Sequence, residues 1–359
     1  MLKPIHRVNC SPALMACQQL MRRFALWICD PAVTSAGLTQ AEVQAHMGSL
    51  TEGDWLWGMI AGATGKKVLL DKARRIADLQ AADKLGLAQW VNAVCTIDQH
   101  FDAVAPAALP FAPPNGWGAR AKSWSDFKSL MVAFYEEGLR EGLPYEADGT
   151  PTANQACRVT YDQFNREFRA AHRLDPHPDA REVCVLCGGE LVQPAVDHWL
   201  ANAHYPLFAV CADNLLPICA ECNEAPQKGQ KPVHTNGSFA DWFHPYRRHA
   251  NGTLQPRYDA ATLAIRIDSA TVADTQKVRN LDKLLDLTER WTRDFKAEYR
   301  RLQRDIQQRG GMSVAQLQQR FTEYRDGLSP AEPHHEIHLQ VADAMLEPAR
   351  LRALAQMNP

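Results

Sequence analysis

CVLCGGELVQPAVDHWLANAHYPLFAVCADNLLPICAECNEAPQKG, residues 184–229, decides how the rest of the chain is read. A C-x-x-C knuckle, Cys184 and Cys187, opens it, and a second, Cys219 and Cys222, closes it. Each knuckle aims two thiolates at one point, and two knuckles together satisfy the tetrahedral preference of Zn²⁺. Between them stand Asp197 and His198, and Asn223 directly follows the last cysteine. An acid, a base and an amide beside four thiolates point to chemistry rather than to a metal staple alone. A segment this short cannot bury enough apolar surface to hold a hairpin and a helix in register. Zinc supplies the missing stability, and in small zinc modules folding and metal binding are one event. Because Cys222 is a ligand, the metal also fixes Asn223 through a single peptide link.

Working outward, 359 residues allow one large domain or a few small ones, and a hydrophobic fraction of 46% supports a packed core. The formal net charge of −2 gives no broad basic field, so any nucleic-acid face must be local. No run approaches the roughly 20 apolar residues of a membrane helix. The first residues, MLKPIHRVNCSPALMACQQLMRRFALWIC, mix Cys, Gln and an Arg pair into an apolar stretch and lack a signal-peptide core and cleavage site. Cys10, Cys17, Cys29, Cys95, Cys157 and Cys211 lie outside the knuckles. Their scatter does not form a secreted disulfide framework, and they are expected to be buried or inert thiols in a reducing cytoplasm.

The pattern divides the chain into a helical region over 1–104, a linker and connecting helix over 105–158, the knuckle-bearing core over 159–250, and a helical region over 251–359. TQAE at 39–42 reads as a capping box, and apolar residues at helical spacing predict one helix over 68–93. GATGKK at 62–67 fails as a phosphate loop, since Ile60 stands where the first Gly belongs and Lys67 where Ser or Thr should be. APAALPFAPPNGWG at 105–118 is the linker candidate. Ser125 is expected to cap a helix through Leu139, and TYDQ at 160–163 one through His172, with Arg166, Arg169 and Arg173 around it. Leu263, Ile265 and Ile267 alternate as a strand does. An apolar stripe including Leu281, Trp291, Phe295 and Ile306 predicts one long helix over 272–309, whose charges are read as a solvated face. SVAQ at 313–316 starts another. His334, His335 and His338 have helical spacing but no matching Asp or Cys nearby in sequence, so they are weak metal candidates.

The residue types between the knuckles suit phosphodiester hydrolysis. A hard Mg²⁺ or Mn²⁺ ion takes oxygen ligands, which the Asp197 carboxylate and the Asn223 amide supply. Neutral His198 takes a proton from the attacking water. Adjacent residues of a strand face opposite sides, so His198 must sit at a strand end or twist.

These residues resemble the HNH endonucleases (the ββα-metal group) in their four-cysteine zinc form, over the central stretch strongly and more loosely through His244 to Tyr246. The layout is similar to that of endonuclease VII-like resolvases and HNH nucleases of anti-phage systems. The resemblance implies an α+β chain in which a small ββα-metal core with a four-cysteine zinc site is embedded between mainly helical regions. It implies that Asp197-His198 ends the first strand, that Asn214 holds the intervening loop within the catalytic constellation, and that Asn223 stands where the family name would put His. Lys228 is expected to touch phosphate, with Lys231, His244, Arg247 and Arg248 extending a nucleic-acid face. The activity implied is a Mg²⁺- or Mn²⁺-dependent endonuclease with structural Zn²⁺, acting on DNA or, second, RNA. The setting implied is cytoplasmic anti-phage defence, with an ATPase or a guided complex as partner. The rival reading is an inactive zinc-stabilised module that binds nucleic acid or a partner.

Overall fold

Caps written into the sequence start several helices. Thr39, Ser49, Thr160 and Ser313 each accept, on the side-chain hydroxyl, the backbone N–H three residues onward. Each such cap stabilises its helix by about 1 kcal/mol. The structure is a computed structural model and describes residues 3–62, 67–102, 121–192, 194–248 and 250–356. The linker candidate at 105–118 and most of GATGKK lie outside the described residues.

The first half is helical: α1 (Ser11–Ile28), α2 (Gln40–His46), α3 (Leu50–Ala61), α4 (Lys67–Ala77), α5 (Ala81–Val94), α6 (Ala121–Ala133) and α7 (Tyr161–Ala171). The helix predicted over 68–93 is two helices, because the chain turns at Asp78, whose carboxylate accepts the Ser35 N–H (2.8 Å). Ser125 lies inside α6 rather than capping it, and α6 runs on as a π-helical turn over Phe134–Leu139. Phe134 packs against Phe24 and Trp55, anchoring that turn in the N-terminal core.

The centre holds a short antiparallel pair, β1 (Ala195–His198) and β2 (Leu215–Ile218), in the register Asp197 to Leu216 and His198 to Leu215. A single turn, α8 (Ala220–Asn223), follows and lies against β1. Next comes a hairpin of β3 (Leu254–Asp259) and β4 (Ala264–Ser269), turned through Leu263 at a φ of 53°. Only β4 had a pattern in the sequence; the Pro and charges in LQPRYD hide β3.

The helix expected over 272–309 is broken. α9 (Thr275–Leu285) ends at Asp286 in the left-handed region, and α10 (Leu287–Arg309) restarts there, with Asp282 accepting from the Thr288 N–H and hydroxyl. α11 (Val314–Asp326), α12 (His335–Met345) and α13 (Pro348–Gln356) complete the chain.

Mixed helix and sheet around a four-cysteine cluster is therefore the architecture. Buried apolar side chains from every segment join one continuous core, from Ile5 to Leu354. The N-terminal strand of chain is tied to the centre directly: the Lys3 N–H donates to the Val185 carbonyl (3.1 Å), and Arg7 grips Asp213 through two nitrogens (2.5 and 2.7 Å). No helix among the described residues is long and apolar enough to cross a membrane. Cys10, Cys17, Cys29 and Cys211 are buried thiols, as expected, whereas Cys157 is exposed.

Candidate metal centre and the residues around it

Two tight turns build the cysteine cluster. In the first, the Cys184 N–H donates to Gly189 O (2.8 Å) and the Gly188 N–H to Cys184 O (2.9 Å), with Gly188 at a φ of 74° that favours glycine. In the second, Cys219 caps α8, and the N–H groups of Cys222 and Asn223 both donate to its carbonyl. The four sulfurs lie within 4.8 Å of one another, all buried, and Cys187 and Cys219 Sγ are 3.8 Å apart. A tetrahedron of Zn–S bonds of about 2.3 Å has edges of about 3.8 Å, so the donor set and its spacing fit zinc.

Donors surround the sulfurs. The Gly189 N–H points at Cys187 Sγ (3.4 Å) and Arg290 Nη1 at Cys222 Sγ (3.3 Å). Trp291 Nε1 donates to the Cys187 carbonyl (3.1 Å). Within the cluster, hydrogen bonds from Cys184 first and also from Cys222 hold Cys219 and Cys187 below the ordinary thiol range, while the same network pushes Cys184 and Cys222 above it. Arg290 is buried, and its second branch pairs with Glu221 (3.0 Å), which also takes Arg293 (2.8 Å). Sequence reading missed this shell. The one signal was a charged residue at 290, beside Trp291 on the apolar face of α10. His334 sits over the same knuckle, its N–H donating to Gly188 O (2.7 Å) and its ring 3.2 Å from Asp294. Among the described residues the four cysteines are the cluster able to hold a metal, and the histidines of the C-terminal region do not form one.

Asp197 and His198 end β1, as the alternation demanded, and both are buried. His198 Nε2 lies 2.9 Å from the Ala209 carbonyl, which fixes Nε2 as the protonated nitrogen and leaves Nδ1 as the lone-pair nitrogen. Burial pushes the imidazole down to about 4, so it is neutral at pH 7. The ring of Tyr135 stands edge-on to it at 4.5 Å and 73°. Burial raises Asp197 above the ordinary carboxylate range, and the neighbouring Lys228 ammonium, 2.7 Å away, offsets only part of that.

Lys228 corrects an expectation. It is fully buried, and its ammonium donates to the His198 carbonyl (2.6 Å) while pairing with Asp197, so it presents nothing to a phosphate at the surface. Two further residues of the expected nucleic-acid face turn inward for similar reasons. His244 is buried and stacked on Phe101 (4.1 Å), and Arg248 clamps the carbonyls of Phe239 and Trp242. Lys231 and Arg247 are exposed, Arg247 4.0 Å from Asp213. Of the arginines in and just after α7, Arg169 is bound to Glu182 and Arg173, beyond the helix end, to the Pro178 carbonyl, while Arg166 is exposed.

Asn214 holds the intervening loop. Its Oδ1 accepts the Leu200 N–H (2.6 Å), and its Nδ2 donates to the carbonyls of Leu200 and Phe208 (3.0 Å each). Both amide hydrogens are spent on backbone, so its part is to shape the loop that carries Ala209 rather than to touch a reacting atom. Asn223 differs: it is half-buried at the end of α8, and its side chain makes no hydrogen bond among the described residues.

No protein-family model matches the chain, and no solved structure does. It is similar to the protein Ea31 of Escherichia phage lambda, 40% identical over 119 residues, which are 33% of this chain and 31% of that one. The match thus spans about a third of the phage protein's length.

Proposed function

We propose that this protein is a metal-dependent endonuclease of the HNH type that hydrolyses phosphodiester bonds of DNA. The observation that carries the reading is the state of His198: a buried, neutral imidazole whose Nε2 is tied to a backbone carbonyl and whose Nδ1 lone pair is unclaimed among the described residues. Such a group accepts a proton from water at neutral pH, and its fixed ring orientation aims that acceptance. Asp197 and Asn223 are the oxygen donors that would hold a divalent ion: a carboxylate with one oxygen on Lys228, and an amide with no hydrogen bond among the described residues. Bound there, Mg²⁺ or Mn²⁺ supplies charge neutralisation at the phosphate and Lewis-acid assistance to the leaving oxygen. The cysteine cluster, loaded with zinc, holds α8 against β1, and Lys228 braces the His198 carbonyl, so the chain's own part is to orient these groups before substrate arrives. A phage-related setting is supported by the similarity to a lambda protein.

A second reading rests on Lys228. A carboxylate already neutralised by a buried ammonium needs no divalent ion, which favours a zinc-stabilised module that binds nucleic acid or a partner without cutting. Incubating wild type and His198→Ala with plasmid, single-stranded DNA and RNA across a Mg²⁺ titration separates the two. Cleavage by wild type that falls at least about 100-fold in His198→Ala, within the usual range for general-base removal, supports the nuclease. Equal binding and no cleavage by either protein supports the module.

A further inference from the structure

The strand that carries Asp197 and His198 has an open edge, and side chains close it. In an antiparallel pair the N–H and C=O of successive residues point alternately toward the partner strand and away from it. Val196 lies opposite Pro217, which has no N–H to offer. Its polar groups face outward instead: the N–H donates to the Tyr161 hydroxyl (3.2 Å), and the C=O accepts from the Tyr135 hydroxyl (3.2 Å). Two residues on, the outward C=O of His198 accepts from Lys228 (2.6 Å). The edge is thus finished by two tyrosines and a lysine rather than by a third strand, which also denies it to another chain.

Tyr135 does two things at once. Its hydroxyl pins the strand one residue before Asp197, and its ring packs edge-on against the His198 imidazole. It stands in the π-helical turn after α6, next to Phe134, which anchors that turn in the N-terminal core. Such turns are rare and recur at functional sites, because the extra residue re-aims a side chain. With Nε2 held by Ala209 O at one end of the ring, a ring wall at the side restricts the remaining rotation about the His198 side-chain bonds.

We infer that Tyr135 is a positioning residue for His198, through which the N-terminal helical region sets the orientation of the imidazole. This rests on the nuclease reading for its kinetic consequence but not for its structural one. A group displaced by an ångström costs about 100-fold in rate. Tyr135→Phe keeps the ring wall and loses the strand pin; Tyr135→Leu loses both.

Two readouts test it on the zinc-loaded full chain. By ¹H–¹⁵N NMR of the histidine rings, Tyr135→Phe should keep the His198 Nε2–H tautomer and ring-proton shifts near wild type, while Tyr135→Leu should move the ring-proton shifts, as the neighbouring aromatic ring current is removed, and broaden them. In cleavage assays Tyr135→Leu should lose about 100-fold in kcat with KM and zinc content unchanged, and Tyr135→Phe should recover most of it. Wild-type His198 spectra in Tyr135→Leu, or in Tyr135→Met if the leucine variant does not fold, overturn the inference together with any kinetic effect. If wild type does not cut DNA, the nuclease reading fails, and the spectra alone decide the role of Tyr135.

Discussion

The ammonium of Lys228 lies 2.7 Å from the carboxylate of Asp197, with the lysine fully buried and the aspartate nearly so. A buried ion pair gains little over an apolar pair of the same shape, because both charges give up water. Deleting one partner strands the other charge and is costly.

Lys228→Met should therefore destabilise the protein by about 3–5 kcal/mol, and the double variant Lys228→Met, Asp197→Asn by clearly less than the sum of the singles. Urea unfolding of the four proteins of the cycle measures this. Added Mg²⁺ should restore part of the loss in Lys228→Met if the carboxylate takes an ion. A Lys228→Met protein as stable as wild type would mean that the pair is open to water in solution.

Zinc analysis makes the second prediction. The purified chain should carry one zinc per molecule, and Cys222→Ser should lose the metal and the cooperative unfolding transition together, since metal binding and folding of this segment are coupled. Arg290→Ala removes a donor to Cys222 and a buried counter-charge to the thiolates. Its zinc affinity should fall about 10- to 100-fold in a chelator competition. Unchanged affinity would make Arg290 a partner of Glu221 alone.

The knuckles and the residues between them were legible because their chemistry is local. C-x-x-C spacing, the Asp197-His198 pair and the position of Asn223 are all set within a few residues of sequence. Three N-caps, Thr39, Thr160 and Ser313, were legible for the same reason, whereas the Ser49 cap was missed and Ser125 is no cap. What partnered these residues was not, since each partner comes from far along the chain: Tyr135 from the π-helical turn, Arg290 and Trp291 from α10, Arg7 from the N-terminal segment. Charge misled in a consistent way. Lys228, Arg248 and Arg290 look like surface cations, yet each has backbone carbonyls or an anion waiting inside. The breaks at Asp78 and Asp286 escaped periodicity because the apolar stripe continues across them.

Asn214 supplies a prediction about shape rather than chemistry. Asn214→Ala leaves the Leu200 N–H and the Leu200 and Phe208 carbonyls without their partner. At about 1 kcal/mol or more for each group left unmet, the loss should be about 3 kcal/mol. Asn214→Asp keeps the acceptor but turns a charged oxygen toward two carbonyls, so at pH 7 it should be no better than the alanine variant and should improve as the pH falls. Thermal or urea unfolding at two pH values checks the order. An Asn214→Asp protein as stable as wild type at pH 7 would contradict the amide orientation.

His198 gives the pH prediction, and the sign follows from its depressed value of about 4 in the folded protein against about 6.5 unfolded. Above 6.5 neither state is protonated and His198 contributes no pH dependence. Between 6.5 and 4 the unfolded chain takes up the proton and the folded one refuses it, so stability falls with pH, by about 3 kcal/mol across the window, and then levels off. His172 is depressed to about 4 as well, and Asp197, raised by burial, contributes with the opposite sign, so the measurement is the difference between wild type and His198→Gln. That difference should shrink steadily from pH 6.5 to 4. The proton-accepting form should likewise persist in the free enzyme well below pH 6, so kcat/KM for DNA cleavage should hold its plateau there rather than bend at the ordinary histidine value. A bend near 6.5 in the rate profile, with no matching change in the stability difference, would place the working base outside the buried strand end.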